Sequence, residues 1–301
     1  MSKSTANFLM VLVALIWGTT FIAQTTGMNT LGPLSFTGAR YLIGMVVMAP
    51  LAIWESRRIS LFQEAKTNKK LWQGAVLLGI LMFFGIALQQ TALLHTKVAN
   101  AAFLTALYVP AVPLMSWLLT RQPIGLPIWV AVLLSLAGSY LLSGNASFDA
   151  QFADILVAIG ALFWAAHIIA IGFVTRMIEA PLQLAFVQNL VCATLASSSA
   201  MMFEATQLAD FLPVWQELFY AGAISVGIAY TLQLVAQRHA NTTAAAFILS
   251  LEAVFAVIAG WFFLSQTLSL FAVLGCLFIF IAVLLADVVP ASWFSKKQIE
   301  T

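Results

Sequence analysis

Charged residues are scarce in this chain. Only 8% of its 301 residues are Asp, Glu, Lys or Arg, and 62% are hydrophobic, whereas a soluble globular protein carries about 25% charged residues. So few charges cannot cover a surface that faces water, and the mean hydropathy of +0.99 agrees. The composition therefore excludes a soluble globular fold and predicts a protein that uses lipid as its solvent.

Cysteine and histidine are also rare. The two cysteines, Cys192 and Cys276, lie far apart in apolar runs, which is typical of small buried side chains and indicates no metal pair. The three histidines, His95, His167 and His239, are scattered and form no zinc-protease motif. A nucleophile elbow, a phosphate-binding loop and an ATP-binding motif are missing from the sequence too. We therefore expect no enzyme, no cofactor, no metal and no nucleic-acid partner.

Long apolar stretches dominate what is present. They are continuous and do not alternate, which predicts membrane-spanning α-helices and not a barrel. The first stretch resembles a signal peptide because Lys3 precedes it, but its core is too long and recurs later in the chain, so we expect a helix there. The ten stretches are 7–26, 33–54, 71–94, 98–119, 124–143, 153–175, 182–203, 213–236, 242–264 and 267–289.

Lysine and arginine are distributed unequally between alternate connections. The side that holds the N-terminus collects eleven of them, whereas the other side holds only Lys97, and Arg40 lies within a helix. By the positive-inside rule we expect that both termini are cytoplasmic. The eleven residues are Lys3, Arg57, Arg58, Lys66, Lys69, Lys70, Arg121, Arg176, Arg238, Lys296 and Lys297.

The chain repeats itself after 144 to 148 residues. Ala-Ala-Phe occurs at 101–103 and again at 245–247, and Tyr108 aligns with Glu252 at the same offset. Trp17 likewise aligns with Trp164 at an offset of 147. The repeat units are about 7–143 and 153–289, with five helices each. An odd number of crossings inverts the second unit, as in secondary transporters; duplication without function would explain the similarity but not the inversion. We predict an all-α integral membrane protein, with ten transmembrane helices in two inverted five-helix repeats around a central cavity.

Several segments resemble EamA-type transporters of the drug/metabolite transporter superfamily. They are the sequence ALIWGTTFIAQ at 14–24, the F-x-x-A-R motif at Phe36–Arg40 and the two AAF helices. The resemblance covers nearly the whole chain. It implies a ten-helix bundle that moves small metabolites through a central cavity across a bacterial inner membrane.

Glu252 is the strongest candidate for a substrate-binding residue. An acid at the centre of a membrane helix costs roughly 2.5–3.5 kcal/mol, so it needs a polar cavity or a partner. When ionised, Glu252 would attract a cationic group, and a change in its protonation would couple proton movement to transport. The alternative is a neutral Glu that hydrogen-bonds to a neighbouring helix.

Tyr108 occupies the matching position in the first unit. Its ring would stack on a planar substrate and its hydroxyl would hydrogen-bond, or it would simply pack. Pro110 and Pro113 follow within a turn, and each removes an amide from the helix. A broken helix at this depth indicates a cavity, so we expect these prolines to contribute to gating. The second unit has Val254 and Val257 there, which predicts gates of unequal stiffness.

Two further repeat pairs are candidates for the cavity wall. Trp17 and Trp164 lie too deep for an interfacial belt, and they either line the cavity or pack. Thr20 and His167 follow one turn later on the same helical face. His167 favours a neutral, hydrogen-bonded state, with a cavity-lining or proton-sensing role as the alternative.

Arg40 and a set of uncharged polar residues complete the candidates. Arg40 needs a partner within its helix, so it is either a structural anchor or binds a substrate carboxylate. Among the polar residues we expect Gln89 and Tyr230 at the cavity, while the others suit hydrogen bonds between helices. The set comprises Gln89, Gln90, Gln188, Asn189, Tyr230 and Gln233.

The sequence thus favours a secondary transporter for a small amphipathic metabolite, such as an amino acid, a purine-like ring, a vitamin or a drug. Proton-coupled export and uncoupled, facilitated diffusion both remain open, as do uptake and a monomeric or homodimeric state. An intramembrane enzyme lacks a motif, and a channel usually shows rings of like charge, which are missing here. The stretch Glu55–Lys70 is either a solvated loop or a segment along the inner leaflet.

Overall fold

A computed structural model describes residues 1–96, 98–121, 124–143, 152–264 and 269–288. Helices fill these ranges apart from short connections, and no strand occurs in them, so the prediction of an all-α protein is confirmed. A 3₁₀ turn, Leu208–Phe211, and a π-helix, Tyr220–Ala229, accompany the α-helices. The α-helices are α1 (Lys3–Gly27), α2 (Pro33–Ser56), α3 (Leu61–Thr67), α4 (Lys69–Ala92), α5 (Val98–Thr105), α6 (Tyr108–Thr120), α7 (Leu126–Leu142), α8 (Phe152–Met177), α9 (Pro181–Phe203), α10 (Trp215–Phe219), α11 (Tyr230–Gln237), α12 (Thr242–Leu249), α13 (Leu251–Leu264) and α14 (Leu270–Val288).

Nine helical segments within the described ranges are long and apolar enough to cross a membrane. Six are single helices, and the other three join consecutive helices at Ala101–Thr120, Trp215–Gln237 and Thr242–Phe263. Helix α7 is apolar as well but has 17 residues, at the lower limit of about 17 for a spanning helix. The chain is therefore a polytopic membrane protein.

Two of the joined segments are broken at corresponding positions, between α5 and α6 and between α12 and α13. At the first break the amide of Val109 donates to the carbonyl of Ala106 at 3.0 Å, and at the second the amide of Ala253 donates to the carbonyl of Ser250 at 3.2 Å. Both bonds span three residues, which tightens the helix locally. The breaks lie 144 residues apart, as the repeat offset requires.

The chemical cause of the break differs between the two segments. Pro110 has no amide to reach the carbonyl of Ala106, and its ring crowds that turn. The second segment has no proline here, but the hydroxyl of Ser250 donates to the carbonyl of Phe247 at 2.7 Å. A serine that bonds back to its own helix bends it. The break therefore does not depend on proline, while the predicted difference in stiffness stays a prediction.

Helices from the first half pack mainly against helices from the second. Helix α2 lies along α9, α7 along α14 and α4 along α8, while α1 contacts α13, α11 and the π-helix. The largest buried cluster accordingly joins side chains such as Met10 and Val112 to Phe247 and Ile279. The other buried clusters in the described residues also join side chains of both halves, so neither half has a core of its own.

The first and last described helices meet at one end of the bundle. Lys3 and Asp287 form an ion pair at 2.8 Å, and the side-chain amide of Asn7 donates to Asp287 at 3.0 Å. Helix α1 therefore begins where α14 ends. The predicted charges Lys97, Lys296 and Lys297 lie outside the described residues, as do the stretch boundaries at 267 and 289.

Two glutamates tie α2 and α9 together at both of their ends. Glu204, just after α9, accepts hydrogen bonds from the amides of Leu34 and Ser35 at 2.8 Å each. Glu55, in the last turn of α2, accepts one from the amide of Gln183 at 2.8 Å. The first amides of a helix lack partners within it and carry its positive dipole end, so a carboxylate there stabilises the helix. Each helix thus caps the start of the other.

We expect Glu204→Ala to destabilise the protein by about 1–2 kcal/mol, because it leaves two helix-start amides without their carboxylate. The midpoint of thermal unfolding in detergent, followed by tryptophan fluorescence, measures the loss. The control is Glu217→Ala, because the side chain of Glu217 makes no hydrogen bond within the described part of the chain. Equal midpoints for the two variants would contradict the capping role of Glu204.

Candidate functional site

A cavity of about 540 Å³, counted between its lining atoms and including its mouth, lies where the two halves meet. Its wall comes from α1, α2, α4, α8, the π-helix, α11 and the broken segments on both sides. Seven residues singled out from the sequence lie on this wall. They are Trp17, Arg40, Gln89, Tyr108, Trp164, Tyr230 and Glu252.

Glu252 faces the cavity from the first turn of α13, directly after the helix break. Throughout the described residues no side chain forms a hydrogen bond or ion pair with its carboxyl group. The alternative of a neutral Glu that joins two helices by a hydrogen bond therefore has no bonding partner in this structure. The carboxyl group is available to a ligand.

Arg40 reaches the same cavity from α2. Only 2% of its surface is exposed, and its guanidinium lies over the rings of Phe36 at 5.6 Å and Tyr41 at 5.4 Å. The ion pairs found among described residues do not include it, and its Nε lacks a hydrogen-bond partner. A buried guanidinium whose contacts within the described residues are with aromatic rings, and with no carboxylate, is a costly arrangement that an incoming anion would relieve.

Three aromatic rings on the cavity wall pack against one another. The ring of Tyr230 lies 4.7 Å from that of Trp17 and 6.3 Å from that of Trp164, with which it is stacked at 15°. The indole of Trp164 donates to the side-chain oxygen of Gln89 at 3.0 Å. These contacts fix the orientation of the rings, and the repeat partners Trp17 and Trp164 flank one tyrosine.

Several buried polar atoms on the cavity wall lack a hydrogen-bond partner among the described residues. Buried polar atoms are nearly always hydrogen-bonded, so each exception requires an explanation. Six of the unpartnered buried side-chain atoms in the described residues belong to the cavity wall, and they include donors and acceptors. They are Trp17 Nε1, Gln24 Oε1, Arg40 Nε, Thr105 Oγ1, Tyr108 Oη and Gln233 Oε1. This arrangement suits a polar ligand that supplies the missing partners.

Four residues predicted from the sequence lie away from the wall of this cavity. Thr20 is 1% exposed and donates to the carbonyl of Ile16 at 2.6 Å. His167 bonds to Gln188 at 3.2 Å, and its ring packs edge-on against Trp164 and Tyr230, so it supports the aromatic wall from behind.

The two prolines lie on α6, beyond the break. Pro113 lines a second cavity, with an empty volume of about 850 Å³, between the ends of α6 and α8 and the start of α12. Arg176, Asn241 and Thr243 are among the polar residues on its wall. Pro110 lines neither of these cavities.

The sequence analysis missed several polar wall residues, namely Gln24, Thr105, Ser225 and Gln233. Ser225 lies in the π-helix, a geometry that often marks functional sites but gives no clear sequence signal. Gln233 was recognised as polar at membrane depth, but its direction was not predicted. Behind the wall, Gln90 and Gln237, which lie 147 residues apart, donate to the carbonyls of two wall residues, Gln24 and Ile168, respectively.

Gly18 allows α1 to approach the backbone of α13 beside Glu252. A methyl group at Gly18 would lie 2.5 Å from the carbonyl oxygen of Glu252 and 2.8 Å from the amide nitrogen of Ala256. Backbone atoms cannot rotate away as a side chain does. The position of the Glu252 carboxyl group therefore depends on a residue without a side chain at position 18.

We expect Gly18→Ala to reduce transport at least tenfold and to destabilise the protein by about 1–3 kcal/mol, because α13 must shift outward. The control is Gly227→Ala, whose added methyl group would meet Val47 Cγ1 at 3.3 Å, a side-chain atom that can yield. Flux into proteoliposomes and the thermal midpoint measure both effects. Unchanged flux in Gly18→Ala would contradict the claim that transport depends on the close packing of α1 against α13.

Metal binding finds no support in the described residues, because no group of three or more His, Cys, Asp or Glu side chains there is arranged to hold an ion.

Comparison with known proteins gives consistent similarities. The model of the EamA-like transporter family matches the chain twice, over residues 4–144 and 151–286. An uncharacterized transporter of Archaeoglobus fulgidus is 30% identical over 283 residues, which cover 94% of this chain and 85% of that protein. The uncharacterized transporter YwfM of Bacillus subtilis is 24% identical, with 94% of each chain covered.

A solved structure, titled "Crystal structure of protein", has a similar fold. Its TM-score is 0.79 at 19% sequence identity, and the match covers 95% of this chain and 98% of that one. At this identity the similarity concerns the fold alone.

Proposed function

Because the chain belongs to the EamA-like transporter family, we propose that it is a secondary transporter that carries a small amphipathic metabolite across the bacterial inner membrane by alternating access. The observation that carries the proposal is the cavity between the two halves, whose wall holds Arg40, Glu252 and several polar atoms that lack a partner among the described residues. Because the sequence holds no ATP-binding motif, the energy is that of a solute or ion gradient.

The architecture in this proposal is ten transmembrane helices in two inverted five-helix repeats, 7–143 and 153–289. The two matches to the family model support these units. Helix packing supports them as well: α2 pairs with its counterpart α9, and α7 with its counterpart α14. In these repeats α1 corresponds to α8, and α4 corresponds to the segment that contains α11. The contact of α4 with α8 therefore corresponds to the contact of α11 with α1. A pseudo-two-fold relation between the halves produces such pairs.

The proposed orientation has both termini in the cytoplasm. The unequal distribution of Lys and Arg supports it. The ion pair of Lys3 with Asp287 agrees with it, because that pair brings the start of α1 and the end of α14 to one face. Cysteine labelling from outside the cell at positions 2 and 300 tests the orientation, and labelling of either position would contradict it.

The charges in the cavity narrow the class of substrate. Arg40 and Glu252 lie on the same wall, but they are more than 4.0 Å apart at their charged atoms and form no ion pair. Each therefore needs an opposite charge from elsewhere. A zwitterion with an amino and a carboxylate group supplies both, and the rings of Trp17, Trp164 and Tyr230 suit an apolar body between them. An amino acid or a similar amphoteric metabolite fits best among the substrates that the sequence allows.

Proton coupling is the part of the proposal that rests on Glu252 alone. Exchange of a substrate amino group for a proton at this carboxyl group would link export to the inward proton gradient. An uncoupled carrier would use Glu252 only as a counter-ion. Transport driven by an imposed pH gradient in proteoliposomes supports coupling, whereas equal flux with and without the gradient supports facilitated diffusion.

A thermal-shift screen of the purified protein tests the substrate class. A ligand that binds the folded state stabilises it in proportion to its concentration over its Kd. We expect zwitterionic amino acids with apolar side chains to raise the midpoint, and their decarboxylated or deaminated analogues to raise it less. Stabilisation by either single-charge analogue equal to that by the parent compound would contradict a zwitterionic substrate.

A further inference from the structure

A groove lies outside the central cavity, between α3 and the first turn of α4. It has an empty volume of about 700 Å³ and is lined by Phe62, Ala65, Lys66, Lys69, Trp72 and Gln73. Nothing in the proposed transport cycle uses it. The groove is at the end of the bundle where α2 ends and α4 begins.

Helix α3 is fastened to the bundle and does not form a solvated loop. The side chain of Leu61 is fully buried and packs with Leu71 and Leu78 in a core cluster. The amide of Leu61 donates to the side-chain oxygen of Gln183 at 3.0 Å, and the amide group of Gln183 donates to the carbonyl of Ile59 at 2.7 Å. The groove is therefore built on a fixed wall.

The exposed side of the groove combines aromatic rings with unpaired cations. Phe62 is 55% exposed and Trp72 is 39% exposed, and their ring centroids lie 5.5 Å apart. Lys66 and Lys69 are exposed, and neither joins an ion pair within the described residues. Exposed aromatic rings beside lysines are typical of the boundary between lipid headgroups and acyl chains.

A second aromatic and basic pair lies at the end of α2, the helix that precedes α3. The guanidinium of Arg58 lies over the ring of Trp54 at 5.9 Å, and Trp54 is 54% exposed in the last turns of α2. The end of α2 and the groove thus each combine an exposed tryptophan with cationic side chains. This repetition favours an interface with lipid over contact with a soluble partner.

We propose that the groove binds the phosphate of an anionic phospholipid, with Lys66 and Lys69 at the phosphate and with Phe62 and Trp72 along the glycerol and the start of the acyl chains. An anionic lipid suits the groove better than phosphatidylcholine, because the choline group would bring a second positive charge close to the lysines. The site is independent of the solute that the central cavity carries.

The test uses the full chain, purified in detergent and stripped of lipid. Bound lipid is counted by native mass spectrometry, and the thermal midpoint is measured with phosphatidylglycerol, with phosphatidylcholine and with inorganic phosphate alone. We expect phosphatidylglycerol to bind at least tenfold more tightly than phosphatidylcholine. The double variant K66Q/K69Q should lose this preference, and Phe62→Ala should weaken the binding of both lipids.

The control is Arg121→Gln, which removes a cation that stacks on Trp117 at 6.0 Å, away from the groove. It should keep the preference for phosphatidylglycerol. A preference that survives in K66Q/K69Q would overturn the proposal, and so would equal losses in Arg121→Gln and K66Q/K69Q. Stabilisation of the wild type by inorganic phosphate to the same extent would also overturn it, because the site would then bind phosphate and not lipid.

Discussion

Glu252→Gln is expected to abolish transport of a zwitterionic substrate, or to leave a slow flux that no longer depends on pH. Glutamine keeps the shape of the side chain and its capacity for hydrogen bonds but carries no charge and exchanges no proton. Loss of a charge-assisted hydrogen bond to the substrate amino group costs about 1.5–3 kcal/mol, which is a reduction in affinity of about tenfold to more than a hundredfold.

Three measurements separate this effect from misfolding. The thermal midpoint of the substrate-free variant should match or exceed that of the parent, because the variant removes a charge without a partner from membrane depth. The control Glu179→Gln changes an exposed carboxylate that pairs with Arg238 outside the cavity, and it should transport normally. Parental flux and an unchanged pH profile in Glu252→Gln would contradict a role for Glu252 in substrate or proton binding.

Arg40→Gln is expected to weaken substrate binding by about the same factor as Glu252→Gln. The interaction lost is with the substrate carboxylate and not with its amino group. The Arg40 guanidinium has aromatic neighbours and no carboxylate partner in the described structure, so the substrate anion would supply the missing charge. Arg40→Lys should recover part of the affinity, because lysine keeps the charge but loses the planar fork that binds carboxylates in two places.

A crossed comparison with single-charge analogues distinguishes binding from a structural role. Arg40→Gln should lose affinity for the zwitterion but retain the parental affinity for the decarboxylated amine. Glu252→Gln should likewise lose affinity for the zwitterion but retain the parental affinity for the deaminated acid, which has no amino group to bind. The control Arg58→Gln removes an exposed cation near Trp54 and should alter neither affinity. If Arg40→Gln loses both ligands equally and also lowers the substrate-free midpoint, Arg40 acts as a structural anchor.

The most informative sequence signal for the site was the repeat. It aligned Tyr108 with Glu252 and Trp17 with Trp164, and all four side chains lie on the wall of one cavity. The alignment identified cavity residues because the helices that carry these two pairs meet at the interface between the halves. Thr20 and His167, the next repeat pair, do not line this cavity: the Thr20 hydroxyl donates to the carbonyl of Ile16 in its own helix, and the His167 ring bonds to Gln188 on α9.

The sequence did not predict which of the other polar side chains face the cavity and which face a neighbouring helix. In a soluble helix the polar side faces water and the apolar side faces the core. In lipid this contrast disappears: Phe262 and Phe263 are 71% and 66% exposed, whereas Gln188 and Asn189 are fully buried. Polar residues such as Gln24 and Gln233 can therefore face a cavity or another helix with the same local sequence pattern.

The sequence by itself determined that this chain is an apolar, helical membrane protein, because apolar runs of bilayer length leave the backbone only helical hydrogen bonding. It also determined the family and the positions that correspond between the halves. Only the tertiary structure decided which polar groups share the central cavity, that Arg40 and Glu252 form no ion pair with any described residue, and that glutamates cap α2 and α9 reciprocally. Those features depend on contacts between residues more than a hundred positions apart, which helix packing creates and local pattern does not encode.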